Sequence, residues 1–250
     1  MPVATSRSAS LPAAGAPRLQ AIAGFEATDY ALLNGRVVWA GAQASTDHPR
    51  NCFSPWQPGP FSGDTARLQR GALNCMALLQ GPLQPGLLTW LNPSLGSDPL
   101  PWWLTHALPR LNSLALALQS NDLPAFEHAA LRLLGLGPGL TPSGDDLVGA
   151  TFFALRQAPR TRWAAELPAL RSRVRAAAHE ATNVISAALL DDLLDGHSFR
   201  PLHELMTALD SEDPSRIAAA TQALLRVGAS SGADMLSGVL LTLSTWQETF

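Results

Sequence analysis

The chain has 250 residues, 46% hydrophobic and 15% charged, with a formal net charge of −3. This composition suits one large or two modest packed domains, and it excludes a disordered chain and a basic binder of nucleic acid or of an anionic membrane. The 17 Lys-plus-Arg residues are all Arg, so no P-loop lysine and no Schiff-base lysine can operate, and a bound anion must be held by Arg, by backbone N–H groups or through a metal.

Residues 1–17 are rich in Ser, Ala, Pro and Gly and offer no periodic apolar face, so a flexible tail is expected there. They lack the apolar stretch of a secretory signal, and no later run is long enough to cross a bilayer, which points to a cytoplasmic protein. Residues 18–100 are expected to form a small β-rich N-terminal portion. Short apolar runs at 31–42 and 87–91, broken by Asn34-Gly35 and by Pro-Gly and Gly-Pro pairs, favour strands and turns, while 65–79 reads equally well as a helix. The polar turn of residues 47–51 carries no assigned role, and Cys52 and Cys75 are too few and too isolated for a disulfide framework or a thiolate metal site.

From residue 101 the chain turns Leu/Ala-rich, and helices are expected over 102–119, 124–134, 162–181 and 181–194. Asp213-Pro214 is a helix start with an acidic N-cap and Pro in the first position, Gly228 is a stop, and a last helix is expected over 232–246. Asp191, Asp192 and Asp195 read as a solvated acidic face, and His179 and His197 as surface residues. The fold class expected is α+β: a small β-rich N-terminal portion followed by a larger, compact, all-helical portion over 101–250.

Within the helical part, residues 135–146 read Gly-Leu-Gly-Pro-Gly-Leu-Thr-Pro-Ser-Gly-Asp-Asp and lead straight into the apolar run 147–155. Glycines at 135, 137 and 139 and prolines at 138 and 142 cost helix stability, which points to a tight turn that brings backbone N–H groups and a helix N-terminus against a ligand. Asp145 and Asp146 already supply negative charge at that helix end, so an anion there needs a cation between. Paired carboxylates with a Thr or Ser hydroxyl suit Mg²⁺, which makes Asp145 and Asp146 candidate metal ligands and catalytic groups, with Gly137, Gly139, Thr141, Ser143 and Gly144 shaping an anion pocket. A plainer alternative is that Ser143 or Asp145 only caps the helix.

Two further patterns stand near it. Ser231-Gly232-Ala233-Asp234, preceded by Ser230, repeats the Ser-Gly-x-Asp of the loop, so two helices can begin alike with their N-termini on one site. Thr182-Asn183 with Ser186 puts Thr182 and Ser186 on one helical face, where hydroxyls are as often satisfied by the preceding turn as by a ligand.

The loop, then Thr182-Asn183-x-x-Ser186 with Leu189-Leu190 and Gly196, and then Ser230-Ser231-Gly232-x-Asp234 with Gly238, in that order, resemble the bacterial AllH family, mainly over residues 124–243. The resemblance implies a subunit of oxamate carbamoyltransferase acting beside other protein subunits in anaerobic allantoin degradation. Its reaction links oxamate and carbamoyl phosphate with oxalurate and phosphate, so a small anionic substrate is implied. The Ser-Thr-Arg-Thr loop of ordinary transcarbamoylases is absent, which implies a different fold, and Ala181 stands where an Arg is associated with the family. Three readings stay open: an enzyme subunit binding a carbamoyl or phosphoryl anion, with Thr182, Asn183, Ser186, Ser231, Gly232 and Asp234 joining the loop; a non-catalytic structural subunit of a hetero-oligomer, with Trp56, Trp102 and Trp103 as contact candidates; and a metal-dependent amide or ureide hydrolase.

Overall fold

The structure is a computed structural model and describes residues 19–24, 28–41, 47–52, 56–59, 61, 63–80, 86–95, 100–158 and 163–245. The expected tail at 1–17 and the expected helix end at 246 lie outside the described residues.

A three-stranded antiparallel sheet opens the fold: β1 (Leu19–Gly24), β2 (Asp29–Leu33) and β3 (Arg36–Ala40), in the order β1-β2-β3. Asn34 and Gly35 carry φ of 51° and 80°, the left-handed pair that a two-residue hairpin turn requires, and they set Leu33 opposite Arg36. Among the described residues the short, broken pattern after residue 40 does not continue as strands. The chain instead forms α1 (Thr65–Leu78) and α2 (Leu87–Leu91), followed by a 3-10 turn at Pro93–Leu95. In α1, Leu68, Ala72 and Cys75 recur at helical spacing on the buried face, and the Asp64 side chain accepts from Arg67 N at 2.9 Å as N-cap. In α2 the apolar run is too short to show a period, and Thr89 folds back on Gly86, its hydroxyl donating to Gly86 O at 2.7 Å.

The helical part follows as α3 (Trp102–Gln119), α4 (Leu123–Leu131), α5 (Ser143–Gln157), α6 (Leu167–Ala181), α7 (Val184–Asp195), α8 (Arg200–Ser211), α9 (Pro214–Leu224) and α10 (Ser231–Ser244). The sequence reading has no counterpart for α8, although Leu202, Leu205, Met206 and Leu209 make its buried face. The fold class is α+β with a mostly helical C-terminal part.

The stretch α8–α9–α10 repeats the plan of α3–α4–α5. Each first helix ends in a left-handed residue, Asn121 (φ 56°) or Glu212 (φ 57°), followed by an aspartate N-cap, Asp122 or Asp213. Each second helix ends in a turn that closes on carbonyls, Leu133 and Leu136 or Leu224 and Val227, and passes through a left-handed glycine, Gly137 or Gly228. Each third helix then opens with Ser-Gly-x-Asp. Gly144 N donates to Leu136 O at 2.8 Å and Gly232 N to Val227 O at 2.9 Å. A Cβ on Gly144 would lie 1.9 Å from Leu133 O, and one on Gly232 would lie 1.9 Å from Leu224 O.

The two third helices pack on each other along their length. Gly238 of α10 sits against Leu147 O and the Cβ of Ala150 on α5, so only a glycine lets the backbones approach there. Every residue of α5 from Ser143 to Leu155 is buried. One apolar core, with Leu111, Leu114, Phe126 and Phe152, joins α5 to α3, α4, α6 and α7. A second, with Leu68, Phe153, Leu205, Leu209 and Leu240, joins α5 and α10 to α1, α8 and α9. Burial of each Leu or Phe contributes about 1.5–3 kcal/mol, which is why these Ala/Leu-rich helices hold together.

Candidate functional site

The N-termini of α5 and α10 converge, and the loop before α5 folds over them. Gly137 and Gly139 hold φ of 110° and 102°, a backbone that only glycine adopts without strain, and Gly137 presses on Ser143 N, 2.9 Å from where a Cβ would be. Pro142 occupies the N-cap of α5, so neither Ser143 nor Asp145 caps that helix.

The loop is tied to the start of α7. Asn183 is the N-cap of α7, accepting from Ile185 N and Ser186 N, and its Nδ2 donates to Leu140 O at 2.7 Å. Asp145 is 1% exposed and both its oxygens are engaged: Gly135 N donates to Oδ1 at 2.7 Å and the Ser186 hydroxyl to Oδ2 at 2.6 Å. Asp145 therefore holds loop and α7 together. Thr182 Oγ1 is buried beside this junction with no hydrogen-bond partner.

Asp146, one residue on, faces the other way. It is 5% exposed, and burial followed by the negative charge of Asp234 pushes its carboxyl well above the usual carboxylate range. The hydroxyls of Thr141 and Ser231, which share a hydrogen bond of 2.8 Å, lie against Asp146 and offset part of that effect. Asp234, fully buried in the first turn of α10, is pushed up to about 6 by burial, with Ser143, Ser230 and the Leu87 N–H close enough to oppose the rise. None of them meets hydrogen-bond geometry, so both oxygens of Asp234 are without a partner, as is Oδ2 of Asp146. Each carboxylate thus has a hydroxyl from both repeats close by, Thr141 and Ser231 beside Asp146 and Ser143 and Ser230 beside Asp234.

The structure thus brings Thr141, Ser143, Gly144, Asp146, Ser231, Gly232 and Asp234 to one place, and sets Asp145, Thr182, Asn183 and Ser186 beside it as the junction with α7. Gly139 lies further out, since a Cβ there would meet only Thr141 O at 3.7 Å. Among the described residues no basic side chain is a cause of the shift at Asp146 or Asp234, and Arg173 pairs with Glu127 and Arg175 with Asp191 and Asp195.

The sheet supplies a residue that sequence reasoning missed. Tyr30 of β2, the single tyrosine of the chain, is pushed up to about 12 by burial and then by the charge of Asp146, so the N-terminal portion reaches the site. Its docking surface was equally hidden. Val37 and Trp39 of β3 pack on Ile185, Ala188 and Leu189 of α7 and on Leu140 of the loop. The polar turn at 47–51 clamps the sheet there. His48, 1% exposed, lies between Trp39 and Phe199, and Arg50 pairs with Asp192, its Nη2 donating to Oδ1 at 2.6 Å. Asp192 is therefore part of a half-buried ion pair rather than a solvated face, whereas Asp191, which pairs with Arg175 and His179, is 22% exposed and Asp195 is 50% exposed. Among the described residues no helix is long and apolar enough to cross a membrane.

No curated protein and no solved structure matches the chain. Residues 133–243, which hold the loop, the Thr182 motif and the Ser231 motif, match the model of the family described as oxamate carbamoyltransferase subunit AllH, so the family resemblance drawn from those motifs is borne out over this segment.

Proposed function

We propose that this protein is a subunit of an oxamate carbamoyltransferase-type enzyme, and that it holds a small carbamoyl- or phosphoryl-bearing anion over the convergent N-termini of α5 and α10. The observation that carries this reading is the meeting of two helix N-termini, each opened by Ser-Gly-x-Asp, under one Gly-Pro loop. The N–H groups of Gly144, Asp145, Asp146, Gly232 and Asp234 already donate to carbonyls, so what the two helix ends offer a ligand is positive potential in a dry site, which favours negative charge there. Asp146 is the residue placed to act on the ligand, directly as a protonated donor or through Mg²⁺. Asp145 serves by positioning, because its oxygens are already taken by Gly135 N–H and Ser186. Other protein subunits complete the enzyme, as the family's description as a subunit supports.

Calorimetric titration of the purified chain with carbamoyl phosphate, oxamate and oxalurate, with and without Mg²⁺, tests this. We expect heat with at least one of the three and at least a tenfold weaker affinity in Asp146→Asn, which keeps the shape of the side chain. The scaffold reading has one observation in its favour, the 77% exposure of Trp102 at the start of α3, which suits a partner contact. It expects no heat with any ligand from a folded sample.

A further inference from the structure

Three carboxylate oxygens in the helical interior, Oδ2 of Asp146 and both of Asp234, have no hydrogen-bond partner, although their residues are 5% and 0% exposed. The other acids inside this fold are answered, Asp145 by Gly135 N–H and Ser186 and Asp192 by Arg50. Among the described residues no basic side chain acts on either Asp146 or Asp234. Two facing carboxylates out of water with no counter-charge are costly, and a fold that keeps them needs something to neutralise them. The repeat arranges oxygen around the gap: Ser231 lies on Asp146, Ser143 on Asp234, and Thr141 shares a hydrogen bond with Ser231.

We propose that a hard divalent cation of the Mg²⁺ or Mn²⁺ class binds between Asp146 and Asp234, where the N-termini of α5 and α10 meet. Two carboxylates balance its charge, and the hydroxyls of Thr141, Ser143 and Ser231 with water complete an all-oxygen set of the kind such ions prefer. Among the described residues no third His, Cys, Asp or Glu joins the pair, so a soft or imidazole-seeking metal has no ligands here. Asp146 has the little exposure the pair possesses, so the ion enters from its side, beneath Thr141. The inference concerns the same site as the substrate reading, since the cation would present positive charge to an anion above it. The ion can nevertheless be tested with no anion present.

Mn²⁺ is titrated into the full chain near neutral pH in the absence of substrate, with free ion followed by electron paramagnetic resonance and Mg²⁺ used as competitor. One saturable site is expected, displaced by Mg²⁺, with affinity lowered at least tenfold in Asp146→Asn and in Asp234→Asn. Asp195→Asn, on an exposed carboxylate of α7 paired with Arg175, should bind as the wild type does. Absence of a Mn²⁺ site, or a site that survives both substitutions in folded protein, overturns the proposal. Should the variants fail to fold, the wild type decides: Mn²⁺ must broaden the ring resonances of Tyr30, which lies near Asp146, and sharp Tyr30 signals at saturation overturn it. Mn²⁺ binding with no heat from any of the three anions would leave the cation site standing and sink the substrate reading alone.

Discussion

Asp145 and Asp146 are neighbours in sequence and have the same chemistry, yet they do different work because a helix turns about 100° per residue. The turn aims one carboxylate at α7 and the other at α10. Ser186→Ala would leave the buried Asp145 Oδ2 without its donor, and a cost of roughly 1–3 kcal/mol is expected in urea unfolding. His203 offers a second single-residue test. Burial, with a smaller contribution from His197, holds its pKa down at about 4, against an ordinary value of 6.5, and its Nε2 is buried with no partner. A histidine whose folded pKa is depressed contributes stability above its unfolded pKa and loses it as pH falls, here between 6.5 and about 4. The wild type should therefore lose up to roughly 3 kcal/mol more than His203→Gln across that window, read as the difference in urea midpoints so that other titrating groups cancel. Neither role was legible in the sequence: a lone serine in an Ala-rich helix and a lone histidine carry no signal of what will pack against them.

At the scale of the element, the loop and the two Ser-Gly-x-Asp starts were legible, since glycine and proline inside Leu/Ala-rich sequence have a backbone cost that must be answered. Their reason is partly different from the one the sequence suggests. Gly144 and Gly232 are needed because the carbonyl end of the preceding helix packs against them, 1.9 Å from any Cβ. Gly144→Ala and Gly232→Ala should each destabilise by about 1–3 kcal/mol or more, by similar amounts because the two environments repeat, and differential scanning calorimetry would show unequal shifts if the repeat were superficial. The longer correspondence of α3–α4–α5 with α8–α9–α10 hides in the sequence. Packing needs apolar volume at a face rather than a particular residue, so Phe126 and Ile217 can stand in for each other without leaving a pattern.

For the whole molecule, the decisive contact is that of the sheet with α7. Trp39, His48 and Phe199 stack there, and Arg50 with Asp192, each 15% exposed, pins the turn. Asp192→Ala leaves Arg50 half-buried without its partner, at a cost of about 2 kcal/mol, and should expose the segment around residues 47–52 to limited proteolysis while the helical part resists. Equal resistance of wild type and variant would mean that the apolar contacts alone hold the sheet.

The sequence by itself determined the α+β class, the hairpin turn at Asn34-Gly35, the start of α9 at Asp213-Pro214, the extent of α3 and the family resemblance that the match over residues 133–243 bears out. Each of these rests on local chemistry: a left-handed turn, a cap, an unbroken helical period, a contiguous motif. Tertiary structure alone decided that Thr65–Leu78 and Leu87–Leu91 are helical, that Asp192 is half-buried in an ion pair, that Tyr30 reaches the site, and that Asp146 faces Asp234 while Asp145 does not. These depend on which faces meet across the fold, and contacts between residues far apart in the chain leave no periodicity or local composition by which one sequence could show them.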